Sequence, residues 1–416
     1  MLKIVKQLQR ETCDCGKEHS LTVKEILLES GAIYKLKNVL EKVEIDGNGC
    51  IVCDRNTDVA AGSAVSQVLN SEEKIVIDLP EVHADEQSTQ FVFDRMGDAD
   101  YLVAVGSGTI HDITRYCAHA RGIPFISVPT AASVDGFVST VCAMTFRGAK
   151  VTTPGVAPAA VVADTDIFSS APKRLTASGV GDIIGKYTAL TDWRISHLVT
   201  GEYLCEKVYG VMEKALGEAV GAVSDIARGK PAACEKLMYG LLLSGVAMQM
   251  IGNSRPASGA EHHLSHLWET AVINEPTPAL HGEKVGVATA LVSQVYHEIA
   301  SGVSLQPVAY EPLSDREIDR VFKDTAPDIR RENGVDMLLD VDFHRIAENY
   351  EEIKALISKI PQPGEIRELL GKVGAPRTLS DIELPDAVLE DSLTYSPFIR
   401  RRLTLMRLKK LFCVVK

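Results

Sequence analysis

The 416-residue sequence lacks any run approaching the ~18 uncharged apolar residues of a membrane-spanning helix. The segment Met1–Arg10 alternates polar and apolar residues and has no hydrophobic signal-peptide core. Positive charge is not in excess either: 44 Lys and Arg residues against 56 Asp and Glu residues give a net charge of −12. That charge repels nucleic acid and anionic lipid alike. We therefore expect a cytoplasmic protein with no nucleic-acid partner and no membrane span.

Cysteine is scattered along the chain rather than arranged in a framework. The total of nine Cys residues is odd, which suits reduced thiols better than disulfides. Cys13 and Cys15 with His19 resemble the beginning of a zinc site, but no second pair with zinc-ligand spacing completes it. Cys50 and Cys53 form a C-x-x-C, yet the apolar residues between them predict a buried strand rather than a redox pair.

One basic segment stands out near the C-terminus. Basic residues alternate there with leucine, methionine and phenylalanine between Arg400 and Phe412. A helix of this composition either lies on a membrane or docks on its parent domain. We expect docking.

The pattern of apolar residues changes part-way along the chain. The composition, 45% hydrophobic and 24% charged, is that of a globular protein, and the length suggests two domains. From about Gly49 to Phe168 short apolar runs alternate with helix-like segments, as in buried parallel βαβ units. Long amphipathic segments follow. We predict an α/β, doubly wound nucleotide-binding domain at 1–170 and an all-α domain at 171–416.

A glycine-rich turn follows the apolar run Tyr101–Val105. Glycines at positions 106 and 108 let backbone amides approach a pyrophosphate, and the start of the next helix adds partial positive charge. The turn is not a G-x-G-x-x-G, because His111 stands where the third glycine would be. Asp54 ends the strand Cys50–Cys53, where its carboxylate either binds an adenosine ribose or caps the following turn.

Three later segments combine acidic and imidazole side chains. Asp182 follows a G-x-G and is expected near the first turn of a helix, while His262 and His266 share one helix face. His281 begins another helix. One carboxylate with two or three imidazoles suits a divalent transition metal with an open position for substrate. Each residue also has a structural alternative, as a helix cap or as a hydrogen-bonded interhelical histidine.

Together these motifs resemble the dehydroquinate synthase-like superfamily, which includes the iron-containing alcohol and glycerol dehydrogenases. Within it, the chain is similar to the sn-glycerol-1-phosphate dehydrogenase family in its bacterial, arabinose-operon-associated form. The resemblance is carried by GSGTIHD at 106–112, PTAASVDGFVS at 129–139, GVGDIIGKYTALTDW at 179–193, RPASGAEHHLSH at 255–266 and LHGEKVGVAT at 280–289.

The resemblance implies that Asp182, His262 and His281 bind one divalent metal: zinc, nickel or iron. It also implies that Asp135, Asp182 and His266 contact the substrate as catalytic residues. Binding of the dinucleotide, NAD(H) and possibly NADP(H), is implied for Asp54, Gly106, Ser107, Gly108, Thr109, Ile110, Thr130, Ala131, Ala132, Ser133 and Ser139. A homo-oligomer, first of all a dimer, is the family expectation.

The implied reaction reduces dihydroxyacetone phosphate at C2 to sn-glycerol 1-phosphate, a precursor of glycerophospholipids. Asp54 favours NAD, although the neighbouring Arg55 is placed to pair with the 2′-phosphate of NADP. We expect Arg255, Lys186 or Lys150 to bind the substrate phosphate. The proton donor is either His266 or an ordered water.

Other activities on the same architecture stay open. They are a glycerol or polyol dehydrogenase and a dehydroquinate synthase-type lyase, although the lyase is expected to carry glutamate where Asp182 stands. A non-catalytic relative is the remaining alternative, and it would be expected to have lost a ligand or the glycine loop.

Overall fold

The computed structural model describes residues 13–71, 73–146 and 149–416. The chain divides into two compact units, the first formed by Met1–Ile183 with Gly217–Asn253 and the second by Ile184–Leu216 with Ser254–Lys416. The strands are β1 Glu25–Glu29, β2 Gly49–Asp54, β3 Lys74–Ile77, β4 Tyr101–Gly106, β5 Phe125–Pro129, β6 Val141–Phe146, β7 Ala149–Pro154, β8 Ala160–Asp164, β9 Ser304–Pro307 and β10 Phe412–Val415.

Most of the remaining elements are helices. The α-helices are α1 Leu36–Val43, α2 Arg55–Thr57, α3 Ser63–Leu69, α4 Glu86–Phe93, α5 Gly108–Arg121, α6 Thr165–Phe168, α7 Lys173–Ile184, α8 Lys186–Thr200, α9 Glu206–Gly221, α10 Val223–Ala227, α11 Pro231–Ile251, α12 Ala260–Glu269, α13 His281–Ala300, α14 Asp315–Phe322, α15 Ala326–Asn333, α16 Phe343–Glu348, α17 Tyr350–Ile357, α18 Pro363–Lys372, α19 Leu389–Tyr395 and α20 Leu405–Leu408. Short 3-10 turns lie at Ala32–Lys35, Gly136–Val138, Lys323–Thr325, Ser380–Ile382, Asp386–Val388, Ser396–Phe398 and Lys409–Leu411, and a π-turn lies at Asp58–Gly62.

The first unit is built on a six-stranded sheet in the order β1-β8-β5-β4-β2-β3, all of whose neighbours are parallel. Alternate residues of its inner strands enter opposite cores: Ile51 and Val103 pack on one face, and Val52 and Ala104 on the other. Burial on both faces explains why these strands are continuous apolar runs. The doubly wound α/β fold predicted from the sequence is confirmed.

The direction of winding reverses between β2 and β4. The chain passes from β2 outward to β3, and from β4 outward in the opposite direction to β5. Val52 pairs with Ala104, so two residues further on Asp54 is level with Gly106. The carboxyl ends of strands at such a switch point are where open α/β sheets bind ligands. The glycine loop and Asp54 therefore share the expected edge.

The division into units differs from the two contiguous domains predicted, 1–170 and 171–416, because α11 returns to the first unit. Ser244 of this helix donates to Asp135 Oδ2 at 2.7 Å, and Gln249 donates to the carbonyl of Val138 at 2.5 Å. Most of the helix is buried. A helix that is apolar on nearly all sides can pack against either unit. Its hydrophobic periodicity therefore does not identify the unit to which it belongs.

The second unit is helical apart from one antiparallel pair, β9 with β10. The basic C-terminal segment forms the short helix α20 and then β10 rather than one amphipathic helix. Arg407 is fully buried and donates to Asp336 at 3.2 Å and to the carbonyl of Pro397 at 3.3 Å. The expected docking is confirmed. Within residues 13–71, 73–146 and 149–416, no helix is both long and apolar enough to cross a bilayer.

Candidate functional site

The glycine loop connects β4 to α5. A Cβ atom on Gly106 would lie 2.5 Å from the side chain of Ile110, so only glycine fits there. His111, in place of a third glycine, donates through Nδ1 to the carbonyl of Ser107 at 2.9 Å and accepts at Nε2 from Ser127 Oγ at 2.7 Å. Burial lowers the pKa of His111 to about 3, so its ring is neutral. It fastens the loop to β5.

The segment after β5 runs beside the glycine loop. The amide of Thr130 donates to the carbonyl of Gly106 at 3.0 Å, and the following residues Ala131 and Ala132 are buried. Helix α7 approaches this segment closely, because a Cβ on Gly179 would stand only 1.9 Å from the carbonyl oxygen of Ala132. Ser133 accepts at its carbonyl from Ser178 at 3.2 Å. The small residues predicted to bind dinucleotide thus form one tightly packed loop pair.

Two other predicted nucleotide contacts have local hydrogen-bond partners. Asp54 caps the turn after β2: its Oδ1 accepts from the amide of Thr57 at 2.8 Å, the capping alternative recognised in the sequence. Ser139 donates to the carbonyl of Val141 at 2.9 Å. Arg55 pairs with Asp78. Capping engages Oδ1 of Asp54, and a ribose contact by this residue stays a prediction, as does a nucleotide contact by Ser139.

Asp182 is fully buried in the last turn of α7. The predicted position near the first turn is wrong, because the helix already begins at Lys173 and ends at Ile184. The amide of Asp135 donates to Asp182 Oδ2 at 2.9 Å. Asp135 in turn accepts from Ser244. The two predicted substrate-contacting carboxylates are therefore adjacent and held in place.

The predicted imidazoles gather in the second unit. His262 and His266 lie one turn apart on α12, and His281 is the first residue of α13, as the sequence predicts. The ring centroids of His262 and His281 are 5.4 Å apart, those of His266 and His281 5.8 Å, and those of His262 and His266 6.1 Å. Three rings thus face one small region.

Two carboxylates that the sequence analysis missed orient these rings. Glu261 Oε1 lies 2.7 Å from Nδ1 of His262, and Glu269 Oε1 lies 3.0 Å from Nδ1 of His281. The other oxygen of Glu269 is 3.3 Å from Nδ1 of His266. An imidazole that donates through Nδ1 carries its lone pair on Nε2, the form that binds a metal. The i, i+3 spacing of His266 and Glu269 was a usable signal, but the bond to His281 depends on the fold.

The donor types suit a divalent metal. Asp182 lies in the first unit, and His262 and His281 lie in the second. One carboxylate oxygen and two carboxylate-supported imidazoles form the donor set of catalytic zinc and of other first-row metals. The residues therefore fit the metal that the resemblance implies.

A buried network fixes the start of α12. Asp192 accepts hydrogen bonds from the amide of Ala260 at 2.9 Å, from the Tyr296 hydroxyl at 2.6 Å and from the amide of Leu405 at 2.8 Å. Burial raises the pKa of Asp192 to about 7. For Glu261, burial also acts to raise the pKa, but hydrogen bonds led by that from His262 outweigh it and leave the pKa below its ordinary value. Glu261 therefore stays an acceptor.

The three basic residues predicted to bind the substrate phosphate lie in different surroundings. Arg255 is buried, pairs with Glu202 and donates to the carbonyl of Leu403 at 2.6 Å. It holds the second unit together, and we no longer assign it to the substrate. Lys186 is fully buried at the start of α8. The side chain of Lys150 lies outside the described residues.

Comparison with known proteins places the chain in a family. The model for iron-containing alcohol dehydrogenase matches residues 27–172. A glycerol-1-phosphate dehydrogenase (NAD(P)+) of Halalkalibacterium halodurans is 34% identical over 419 aligned positions, covering 98% of this chain and 97% of the relative. The chain belongs to the glycerol-1-phosphate dehydrogenase family. The Bacillus subtilis enzyme of the same name is 38% identical over 310 positions, covering 72% of this chain and 78% of that one.

Solved structures agree on the fold of this glycerol-1-phosphate dehydrogenase family member. Maleylacetate reductase of Agrobacterium tumefaciens superposes with a TM-score of 0.61 at 14% identity, covering 91% of each chain. An iron-containing alcohol dehydrogenase of Corynebacterium glutamicum gives 0.60 at 15% identity, covering 95% of this chain and 96% of that one. At such identities the likeness shows the fold alone.

Proposed function

We propose that this protein reduces dihydroxyacetone phosphate at C2 to sn-glycerol 1-phosphate, with NADH or NADPH as hydride donor. The observation that carries the proposal is the similarity over nearly the whole chain to an enzyme named for this activity. The residues add chemical support, since the carboxylate and both imidazoles implied as metal ligands are present in the chain.

Asp182, His262 and His281 hold the metal in this proposal. When bound, a divalent metal polarises the C2 carbonyl and stabilises negative charge on its oxygen. Glu261 and Glu269 keep the two imidazoles in the ligand form through Nδ1. With three protein ligands, such a metal would keep a position for the substrate oxygen.

The glycine loop holds the pyrophosphate of the dinucleotide in this proposal. Gly106 and Gly108 leave room for close approach, and the amides at the start of α5 would donate to the anion. When bound there, the reduced nicotinamide would supply the hydride that C2 accepts. The loop Thr130–Ser133, packed beside Gly106, closes the other side of this binding position. Asp54, level with Gly106, is assigned to the ribose hydroxyls.

Reduction of the carbonyl also requires one proton on the substrate oxygen. We assign its delivery to His266 or to an ordered water. Burial lowers the pKa of His266 to about 4, although Glu269, which faces its Nδ1, acts to raise it. Asp135 and Asp182 orient the substrate. Addition of hydride to C2 and of a proton to its oxygen gives the secondary alcohol with no leaving group.

The test is NADH oxidation by purified protein after chelation and reloading with Ni²⁺, Zn²⁺ or Fe²⁺, with dihydroxyacetone phosphate as substrate. We expect sn-glycerol 1-phosphate, assigned by chiral analysis, and no turnover by His281→Ala. His344→Ala, an exposed histidine, is the matched control and should keep full activity.

Parallel assays with glycerol and with the dehydroquinate synthase substrate separate the alternatives. Turnover of unphosphorylated glycerol alone would make the protein a polyol dehydrogenase. Formation of dehydroquinate would make it a lyase. Failure to bind either metal or nucleotide would instead favour a non-catalytic relative.

We further propose that the enzyme is a cytoplasmic homodimer that acts on this small molecule without a nucleic-acid partner. The family resemblance supports the dimer, and buried reduced thiols suit a reducing compartment. Light scattering coupled to size exclusion tests the first point, since a monomer mass would contradict it. Cell fractionation tests the second.

A further inference from the structure

Two neighbouring strands of the first unit end side by side, and a charged residue follows each of them. Asp54, the last residue of β2, is the register partner of Ile77, the last residue of β3. The residues that come next, Arg55 and Asp78, therefore leave the sheet at the same edge. The guanidinium of Arg55 forms an ion pair with the carboxylate of Asp78. We call these two residues the edge pair.

The edge pair lies next to the position assigned to the adenosine ribose. Strand β2 lies between β4 and β3, and Asp54 is level with Gly106 at the end of β4. Since neighbouring strands are about 4.8 Å apart, the glycine loop, Asp54 and Asp78 follow one another at steps of about 5 Å. With a pyrophosphate at the glycine loop and a ribose at Asp54, the 2′ oxygen of that ribose would face the end of β2. A phosphate on this oxygen would then lie beside the edge pair.

The exposure of the edge pair allows Arg55 to change partners. The side chain of Arg55 is 74% exposed and that of Asp78 is 55% exposed, and an ion pair so open to water is weak. By contrast, Lys74 of β3 and Asp58 of the π-turn pair at 2.7 Å with only 22% of each side chain exposed. A guanidinium binds phosphate through two parallel hydrogen bonds. Arg55 is therefore able to exchange the carboxylate of Asp78 for a 2′-phosphate.

We propose that Asp78 is a specificity-determining residue for the cofactor and favours NADH over NADPH. Its carboxylate competes with a 2′-phosphate for Arg55, and its negative charge repels that phosphate. NADH carries a hydroxyl at this position, so its binding does not require Arg55 to leave Asp78. Arg55, once released, binds the 2′-phosphate, and NADPH is therefore a second, weaker cofactor. This inference rests on the dinucleotide site of the proposed function.

The sequence analysis considered Asp54 and Arg55 but not Asp78. Asp54 and Arg55 directly follow a strand that the apolar pattern predicts, whereas Asp78 follows a separate strand and belongs to no motif. The parallel pairing of β2 with β3 brings the two strand ends together. The register of the sheet is what identifies Asp78 as the partner of Arg55.

Fluorescence titration of the full-length protein with NADH and with NADPH tests the proposal in the absence of substrate. We expect the wild type to bind NADH more tightly than NADPH. Asp78→Asn should bind NADPH about 5-fold more tightly than the wild type does, with little change for NADH. Arg55→Ala should bind NADPH about 10-fold more weakly and NADH unchanged. Asp98→Asn, at an exposed aspartate of the same unit, is the matched control and should bind both as the wild type does.

The double variant separates competition for Arg55 from charge repulsion alone. In a chain that already carries Arg55→Ala, Asp78→Asn should improve NADPH binding by clearly less than it does in the wild type, since the two residues act through one contact. An improvement of equal size would overturn the competition. An unchanged ratio of NADPH to NADH affinity in Asp78→Asn would overturn the proposal as a whole.

Steady-state assays with dihydroxyacetone phosphate distinguish this inference from the proposed function. A shift in dinucleotide affinity as expected, in a protein with no turnover, would support the role of Asp78 and contradict only the proposed reaction. Turnover of dihydroxyacetone phosphate with unshifted selectivity in Asp78→Asn would contradict only the role of Asp78. A wild type that binds neither dinucleotide would overturn both.

Discussion

Histidines in the two units are supported by different groups. In the first unit, His19 and His111 face backbone carbonyls through Nδ1. In the second, His262 and His281 face the carboxylates of Glu261 and Glu269. A carbonyl fixes the tautomer with little added charge, whereas a carboxylate also makes the opposite nitrogen more basic. Histidines that face a carbonyl are therefore suited to a structural role, and histidines that face a carboxylate are suited to binding a reactive metal.

Among the substitutions considered, removal of a direct metal ligand should weaken metal binding most. His281→Ala and Asp182→Ala are each expected to weaken metal binding at the catalytic site by more than about 100-fold, because loss of a direct ligand exceeds the loss of its support. Turnover should fall with it. Titration of chelated protein with Ni²⁺ measures both. Stoichiometric, tight metal at this site in either variant would contradict the ligand set.

Replacement of the supporting carboxylate tests the comparison itself. In Glu269→Gln one amide oxygen still accepts from a histidine Nδ1, but the amide nitrogen opposes the other ring and the charge is gone. We expect metal affinity to fall about 10–100-fold while the chain stays folded. Isothermal titration of the metal-free variant measures this effect. Glu275→Gln, at an exposed glutamate, should bind as the wild type does, and unchanged affinity in Glu269→Gln would remove the distinction.

The glycine loop depends on backbone groups, so a side chain added there should affect only the nucleotide. A Cβ on Gly108 would lie 3.2 Å from Cγ2 of Val134, and the valine methyl groups of Gly108→Val would fill the space of the pyrophosphate. We expect NADH affinity to fall roughly tenfold, or about 1.4 kcal/mol, with metal content unchanged. Gly210→Val, at a glycine with open space around it, is the control for fluorescence titration. Wild-type affinity in Gly108→Val would refute the loop assignment.

The buried, neutral state of His111 should make the free energy of unfolding depend on pH. Its pKa of about 3, lowered by burial from 6.5, means that the folded chain leaves it neutral while the unfolded chain protonates it below about 6.5. The stability it confers is therefore present above that pH and is lost as the pH falls toward 3. His111→Gln should be less stable at pH 7.5 by about 1–3 kcal/mol, from the loss of buried hydrogen bonds.

The difference in the free energy of unfolding between the wild type and His111→Gln should be about 2 kcal/mol smaller at pH 5 than at pH 7.5. The reason is that the histidine titrates in the unfolded chain, whereas glutamine does not. Melting temperatures of the two proteins at both pH values measure the gap. His344→Gln, at an exposed histidine, should show no such narrowing. A gap for His111→Gln that is constant with pH would mean that His111 is not held neutral.

The sequence predicts the features that depend on neighbouring residues and misses those that depend on tertiary contacts. The βαβ pattern, the glycine loop and the helix starts at Ala260 and His281 are local, and short windows of sequence contain them. The assignment of α11 to the first unit and the bond from Glu269 to His281 are tertiary. Each joins residues whose spacing carries no period, so hydrophobic pattern and motif spacing give no signal for them. Asp182 was placed in the wrong turn for a local reason, since two glycines hid the continuation of α7.

The most direct test of the central claim is to strip the protein of metal and measure sn-glycerol 1-phosphate formed from dihydroxyacetone phosphate and NADH as metal is returned. The account predicts no product without metal at the Asp182, His262 and His281 site, and a rate that rises in proportion to its occupancy up to one ion per chain. Undiminished turnover by the stripped protein would contradict it.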